Sequence, residues 1–231
     1  MSSAEATEKK EETVAPAVEP IPMALSLNDQ GEHKLQGPWC FWYAKGSNFK
    51  DASEYMAALV RIARFDTVES FWKNYLHLKR PSVLEVGIQL SVMREGYNNV
   101  PMWEYFPTGG CWILKIKKKR DSGTSVLGKM WQDLVVATIG EQFEEPDVVG
   151  VSLYIRKHED LLLVWNTDSR NERMTVSIGQ KLKSILDLEA NTVVQYKYAA
   201  SCVQDHSTFR NATAYVFAAS DKEKEKETVT A

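Results

Sequence analysis

The sequence predicts an α+β fold: a curved antiparallel sheet of about eight strands backed by three helices on its convex face. Three observations predict it. Seven short runs are rich in β-branched and aromatic residues. His158-Glu159-Asp160 reads as a hairpin turn between two of them, and hairpins join antiparallel neighbours. Segments with helical spacing interrupt the strand series instead of alternating with it, which argues against a parallel, doubly wound sheet.

The strand-like runs are Trp39–Tyr43, Gly87–Met93, Cys111–Lys117, Val149–Arg156, Leu161–Asn166, Thr192–Tyr198 and Ala214–Phe217. In the third, Trp112, Leu114 and Ile116 alternate with Ile113, Lys115 and Lys117, so one face is apolar and the other mixed. The first helix opens at Asp66-Thr67-Val68-Glu69, with Asp66 as the capping residue and an acid three positions on, and continues through Phe71, Trp72 and Tyr75. Ser125 can cap the second, in which Leu127, Met130, Trp131, Leu134 and Thr138 recur at helical spacing. The third spans about Asn171 to Leu186, with Val176, Ile178, Leu182 and Ile185 on its inner side.

Composition divides the chain into a body and two tails. Residues 1–32 carry seven acids and two lysines, lack aromatic residues and show no periodicity, so a disordered acidic tail is expected. Residues 221–231, with their Asp-Lys-Glu repeat, are expected to be a disordered charged tail. The overall charge is −3, yet residues 33–220 are left at +3 once the tails are subtracted. A mildly basic body suits a small anionic ligand better than a long duplex. Three scattered cysteines without a Cys-x-x-Cys pair fit a reducing, cytoplasmic setting and suggest no metal. No run of about 18 apolar residues occurs, so no membrane span is expected.

Seven tryptophans fall between Trp39 and Trp165. Trp39, Trp42, Trp112 and Trp131 sit in periodic segments and are assigned to the core. Trp103 differs, because Pro101 precedes it and Pro107-Thr108-Gly109-Gly110 follows, marking a loop. A loop aromatic followed at once by Glu104 suits ligand contact. Trp165 ends an apolar run before Asn166-Thr167-Asp168-Ser169 and is expected at a sheet rim. His33, His77, His158 and His206 are dispersed, and no nucleophile elbow, phosphate loop or metal spacing occurs, so neither an enzyme nor a cofactor is expected.

The body resembles the initiation factor 4E family of mRNA cap-binding proteins. The resemblance is carried by His33-Lys34-Leu35-Gln36, Phe65-Asp66-Thr67-Val68-Glu69-Ser70-Phe71-Trp72, Pro101-Met102-Trp103-Glu104, Gly109-Gly110, Ile139-Gly140-Glu141-Gln142-Phe143 and Val164-Trp165. It implies that residues 33–220 form a cap-binding domain in which Tyr55 and Trp103 hold the 7-methylguanine base and Glu104 reads its edge. It further implies that Trp165 contacts the N7-methyl group and that Arg156 pairs with the cap phosphates, with Lys157 and His158 as further phosphate contacts. A helical peptide of a 4E-binding protein or scaffold is expected on His33, Val68, Trp72, Gln132 and Val136, and the chain is expected to be a monomer.

Several positions depart from the main family pattern. Tyr55 stands where a tryptophan is usual, which is similar to the divergent class of 4E homologous proteins. The Arg80-Pro81 and Glu141-Gln142-Phe143 segments are similar to that class too. Cys111, His158 and Leu161 stand where basic residues are usual, while Lys34 and Gln132 replace a proline and an apolar residue on the partner face. Weaker cap binding and selective regulation of translation follow, with Lys115, Lys117 and Lys157 available to compensate. A positive initiation factor recruiting a scaffold, a peptide-interaction protein with little cap affinity, and a single-stranded RNA binder are the alternatives.

Overall fold

The computed structural model describes residues 26–46, 49–96, 100–118 and 125–217. Of the expected tails 1–32 and 221–231, residues 1–25 and 221–231 lie outside the described residues, whereas 26–32 are described, with Leu27 bridged to His33 and Asn28 Nδ2 donating to the Glu32 carboxylate at 2.9 Å. The strands are β1 (Lys34–Lys45), β2 (Val60–Thr67), β3 (Ile88–Arg94), β4 (Gly110–Lys117), β5 (Val148–Tyr154), β6 (Glu159–Asn166), β7 (Val193–Tyr198) and β8 (Thr213–Val216). They form one sheet in the order β2-β1-β3-β5-β6-β4-β7-β8, with every neighbouring pair antiparallel. The α+β reading therefore holds, with all seven expected runs in the sheet and β2 added at its edge. The β5–β6 hairpin turns through 155–158, so Glu159 and Asp160 already belong to β6.

Five α-helices, not three, occur among the described residues: α1 (Ala52–Ala58), α2 (Val68–Tyr75), α3 (Ser125–Ile139), α4 (Glu172–Ile185) and α5 (Ala199–Asp205). The three that were expected are α2, α3 and α4. The α2 cap is Thr67, one residue later than expected. Its hydroxyl accepts the Ser70 N–H at 3.0 Å while Ser70 Oγ accepts the Thr67 N–H at 3.0 Å. Asn171 caps α4 by accepting the Met174 N–H at 3.3 Å, and Leu186 closes it. The extra helices α1 and α5 have seven residues each, about two turns, too few for a periodic pattern to stand out.

Alternation along the central strands splits the apolar residues between two faces. Trp112 and Leu114 of β4, with Leu162 and Val164 of β6, pack with Phe71, Trp131 and Ile178 from α2, α3 and α4. Cys111 and Ile113, with Leu161, Leu163 and Trp165, form a second cluster on the opposite face, closed by Phe106 and by Ala199 of α5. That second face was expected to be mixed. It is apolar near the start of β4 and turns polar only at Lys115 and Lys117. Trp39, Trp112 and Trp131 are buried as expected, whereas Trp42 is half-buried and belongs to the second face.

The start of β4 explains Gly109-Gly110. A Cβ on Gly109 would lie 2.1 Å from the Asn166 carbonyl oxygen, and one on Gly110 would lie 2.5 Å from the Tyr196 hydroxyl. Two neighbouring strands approach too closely there for any side chain.

Candidate functional site

On the second face, a cleft of about 420 Å³ opens between α1, the segment before β4 and the loop after α5. Its walls include Tyr55, Gln89, Trp103, Glu104, Tyr154 and His206.

Trp103 is held by packing beneath it. Buried Pro101 and Met102 lead into a 3₁₀ turn, Trp103–Tyr105, which places the indole against Trp165. The two rings stack with centroids 4.2 Å apart and planes 29° from parallel. Trp165 is fully buried, so it does not stand at a sheet rim as expected. β6 lies between β5 and β4 in mid-sheet, and strand order cannot be seen in a single strand's sequence. The Trp165 Nε1–H donates to Ser152 Oγ at 2.9 Å, and Ser152 Oγ meets Ser91 Oγ at 2.7 Å. Trp103 thus stands half-buried on a rigid, hydrogen-bond-satisfied base, while Glu104 beside it is exposed. No side chain among the described residues pairs with the Glu104 carboxylate.

Tyr55 lies in α1, whose cap Asp51 accepts the Glu54 N–H at 2.8 Å. Its ring meets Phe49 edge-on at 5.0 Å. Its hydroxyl lies 3.0 Å from Gln89 Oε1 and 3.1 Å from the Pro101 carbonyl oxygen, so it ties α1 to the segment carrying Trp103. Burial raises its pKa well above the ordinary tyrosine value, keeping it a neutral donor. Burial likewise pushes the Cys202 thiol up to about 12 and raises Cys111, so neither is an activated nucleophile. Among the described residues, no group of three or more His, Cys, Asp or Glu side chains is placed to hold a metal ion.

Arg156, Lys157 and His158 lie on the β5–β6 hairpin and do not line the cleft; the last two are exposed. The Arg156 backbone N–H donates to Asp160 Oδ1 at 3.0 Å, and its guanidinium lies 4.3 Å from the Phe209 ring centroid. Lys115 Nζ lies 5.1 Å from the same ring. Cys111 and Leu161, at positions where charge was expected to be lost, are fully buried in the second cluster.

The loop after α5, missed in the sequence reading, supplies His206, Ser207 and Thr208 to the cleft wall. It is anchored by Lys197, which is almost wholly buried (1%) and donates to Asp205 at 2.6 and 2.8 Å and to the Ser207 and Arg210 carbonyl oxygens at 2.7 and 2.5 Å. A signal was available: Phe209-Arg210 among polar residues has the same form, aromatic then charged on a loop, that singled out Trp103-Glu104.

On the helical side, a second hollow of about 680 Å³ lies between α2 and α3, bordered by Trp72, Tyr75, Leu76, Gly128, Trp131 and Gln132. Trp72 is half-buried and meets Phe71 and Tyr75 edge-on at 4.9 and 5.7 Å. Gln132 is exposed, and Val136, one turn on, is 39% exposed. His33 sits at the start of α2, where its backbone and Nδ1 contact the Glu69 carboxylate at 2.9 and 2.6 Å. That contact lowers the Glu69 pKa. His33, Val68 and Val136 do not border the hollow itself.

The arrangement defines a two-faced binding protein, with an aromatic cleft beside a free carboxylate on one side of a curved sheet and a tryptophan-bordered hollow between helices on the other. The chain belongs to the eukaryotic initiation factor 4E family, whose profile matches residues 34–214. The eukaryotic translation initiation factor NCBP of Oryza sativa is 33% identical over 184 residues, covering 78% of this chain and 78% of the relative. Drosophila melanogaster eukaryotic translation initiation factor 4E1 is 32% identical over 169 residues, covering 72% and 62%. Among solved structures, Ascaris suum eIF4E-3 in complex with the m2,2,7G cap aligns with a TM-score of 0.67 at 31% identity, covering 80% of this chain and 97% of that one. Caenorhabditis elegans eIF4E-3 in complex with the 4E-binding protein Mextli aligns with a TM-score of 0.67 at 30% identity, covering 78% and 99%. The family consists of translation factors, and the chain is not an enzyme.

Proposed function

We propose that this chain binds the 7-methylguanosine cap of mRNA in the Tyr55–Trp103 cleft and regulates translation initiation on selected mRNAs, as a member of the divergent 4E homologous class. The observation that carries the reading is Trp103, half-buried on Trp165 with the unpaired Glu104 carboxylate one residue on. N7-methylation makes guanine cationic, and a cation over an indole face gains roughly 0.5–2 kcal/mol. Glu104 accepts from the base N1–H and its 2-amino group, a donor pair that adenine lacks. Trp165 acts mainly by backing Trp103, since no part of it is open to solvent. Arg156 meets the phosphates, with Lys157 and His158 as outer contacts. The Ascaris relative carrying a cap supports the reading.

The hollow beside Trp72 and Gln132 receives a helical peptide of a 4E-binding protein or scaffold, which reaches His33, Val68 and Val136 beyond its border. The Caenorhabditis relative held by Mextli supports this assignment. The domain comprises residues 33–220 between two charged tails, and acts as a cytoplasmic monomer.

Tryptophan quenching on titration with a methylated cap analogue tests the proposal. Trp103→Ala and Glu104→Ala should each weaken binding about 10- to 100-fold, as loss of a charge-assisted contact implies. Tyr55→Trp should tighten it. Absence of quenching by wild type at high micromolar analogue, or equal binding of the unmethylated analogue, would sink the reading. A second reading, a peptide-interaction protein with little cap affinity, is favoured by the uncharged, buried Cys111 and Leu161 and by the Tyr55 tie across the cleft. It predicts retained peptide binding on the Trp72 face without any quenching.

A further inference from the structure

Two cations converge on one uncharged ring at the margin of the cleft. The Arg156 guanidinium lies 4.3 Å and Lys115 Nζ 5.1 Å from the Phe209 centroid. Neither side chain is paired with a carboxylate among the described residues. The nearby Asp160 carboxylate is engaged by the Arg156 backbone N–H at 3.0 Å and by Lys118 Nζ at 3.1 Å. Like charges gathered without an anion need a compensating group, and a ring face compensates them differently from an acid. A carboxylate would neutralise both and occupy their protons. A ring attracts them through its quadrupole and leaves the in-plane guanidinium N–H fork and the ammonium protons free for an incoming anion.

Phe209 is itself held in place. The buried Lys197 ammonium binds the carbonyl oxygens of Ser207 and Arg210, which bracket Phe209 in the chain, and Thr208 beside it lines the cleft. We infer that Phe209 is a positioning residue for phosphate: it holds Arg156 and Lys115 side by side as the subsite for the cap's phosphate chain. This subsite supplies the charge that Cys111 and Leu161 do not. The inference rests on the cap-binding reading and deepens it.

The test compares wild type, Phe209→Leu and Phe209→Tyr against 7-methylguanosine and its 5′-triphosphate by tryptophan quenching. Leucine keeps an apolar side chain of similar bulk without the π face, and tyrosine keeps the π face. Phe209→Leu should leave nucleoside affinity unchanged and weaken triphosphate binding about 2- to 30-fold, the worth of one cation–π contact. It should also flatten the salt dependence of triphosphate binding, and Phe209→Tyr should behave as wild type. The inference is overturned if Phe209→Leu keeps the full gain from the triphosphate, if it binds triphosphate more tightly, or if Leu and Tyr variants lose it equally. A second arm titrates inorganic tripolyphosphate by calorimetry, which needs no base. Weaker binding by Phe209→Leu there supports the subsite even if wild type fails to bind methylguanosine. Unchanged binding, or none by wild type, overturns it.

Discussion

Replacing Lys197 by methionine tests how the cleft wall is held. Lys197 lies on β7 opposite Cys111 of β4, with its ammonium inside the protein and shared among the Asp205 carboxylate and two backbone carbonyls. Methionine keeps most of the stem and removes the charge, leaving Asp205 without its partner. Removing one member of a buried ion pair costs about 3–5 kcal/mol. The Asp205 side chain retains 21% exposure and can rehydrate in part, which puts the expected loss near the lower end, about 3 kcal/mol. For a folded body of this size, that corresponds to a fall in Tm of about 6–12 °C. Asp205→Asn in the Lys197→Met background removes the orphaned charge and should restore about half of the loss. Urea denaturation gives the free energies, and amide exchange should show protection lost first over residues 205–212. A Lys197→Met loss below about 1 kcal/mol, or a double variant no more stable than the single one, would refute the reasoning.

Three further outcomes follow from packing and charge. Gly179→Ala on α4 puts a Cβ 2.5 Å from Trp112 and 2.7 Å from Phe217, so it should destabilise by about 1–3 kcal/mol despite alanine's better helix propensity; a neutral result in thermal denaturation would contradict this. Tyr55→Phe removes the tie to Gln89 and Pro101 and should cost about 0.5–1.5 kcal/mol, with faster amide exchange in α1 as the check. Burial by itself would raise the Asp205 pKa, but the Lys197 ammonium outweighs it and holds the carboxyl below its ordinary value. The resulting stability is fully present above about pH 4, the unfolded value, and is lost as pH falls through the lower folded pKa. Wild type should therefore lose stability in acid more steeply than the Lys197→Met, Asp205→Asn double variant, and equal slopes would remove the pair from the account.

Much of the fold was legible because its signals are local. The seven runs that became strands carry β-branched and aromatic residues, and α3 and α4 are long enough for their apolar spacing to repeat. The edge strand β2 was missed because half of its residues are exposed, with Arg61 and Arg64 breaking the apolar signal that a buried strand presents. α1 and α5 were missed for shortness, and the residues of α1 are half-buried or exposed, so no strong apolar face marks it. At the site, Trp103 stood out by its loop setting, and Tyr55 and Arg156 were reached only through the family resemblance.

By itself the sequence determined the α+β class, the placement of three tryptophans in the core, and the pairing of an aromatic with an acid at Trp103-Glu104. These depend on neighbours in the chain. The tertiary structure decided what depends on strand order. It put β6 in mid-sheet, so that Trp165 became a buried support for Trp103 and Cys111 and Leu161 became core. It also brought Lys115, Arg156 and Phe209 together from three separate segments, through a loop anchored by a buried lysine. No local pattern records such meetings, because they arise where the sheet's crossovers bring distant strands side by side.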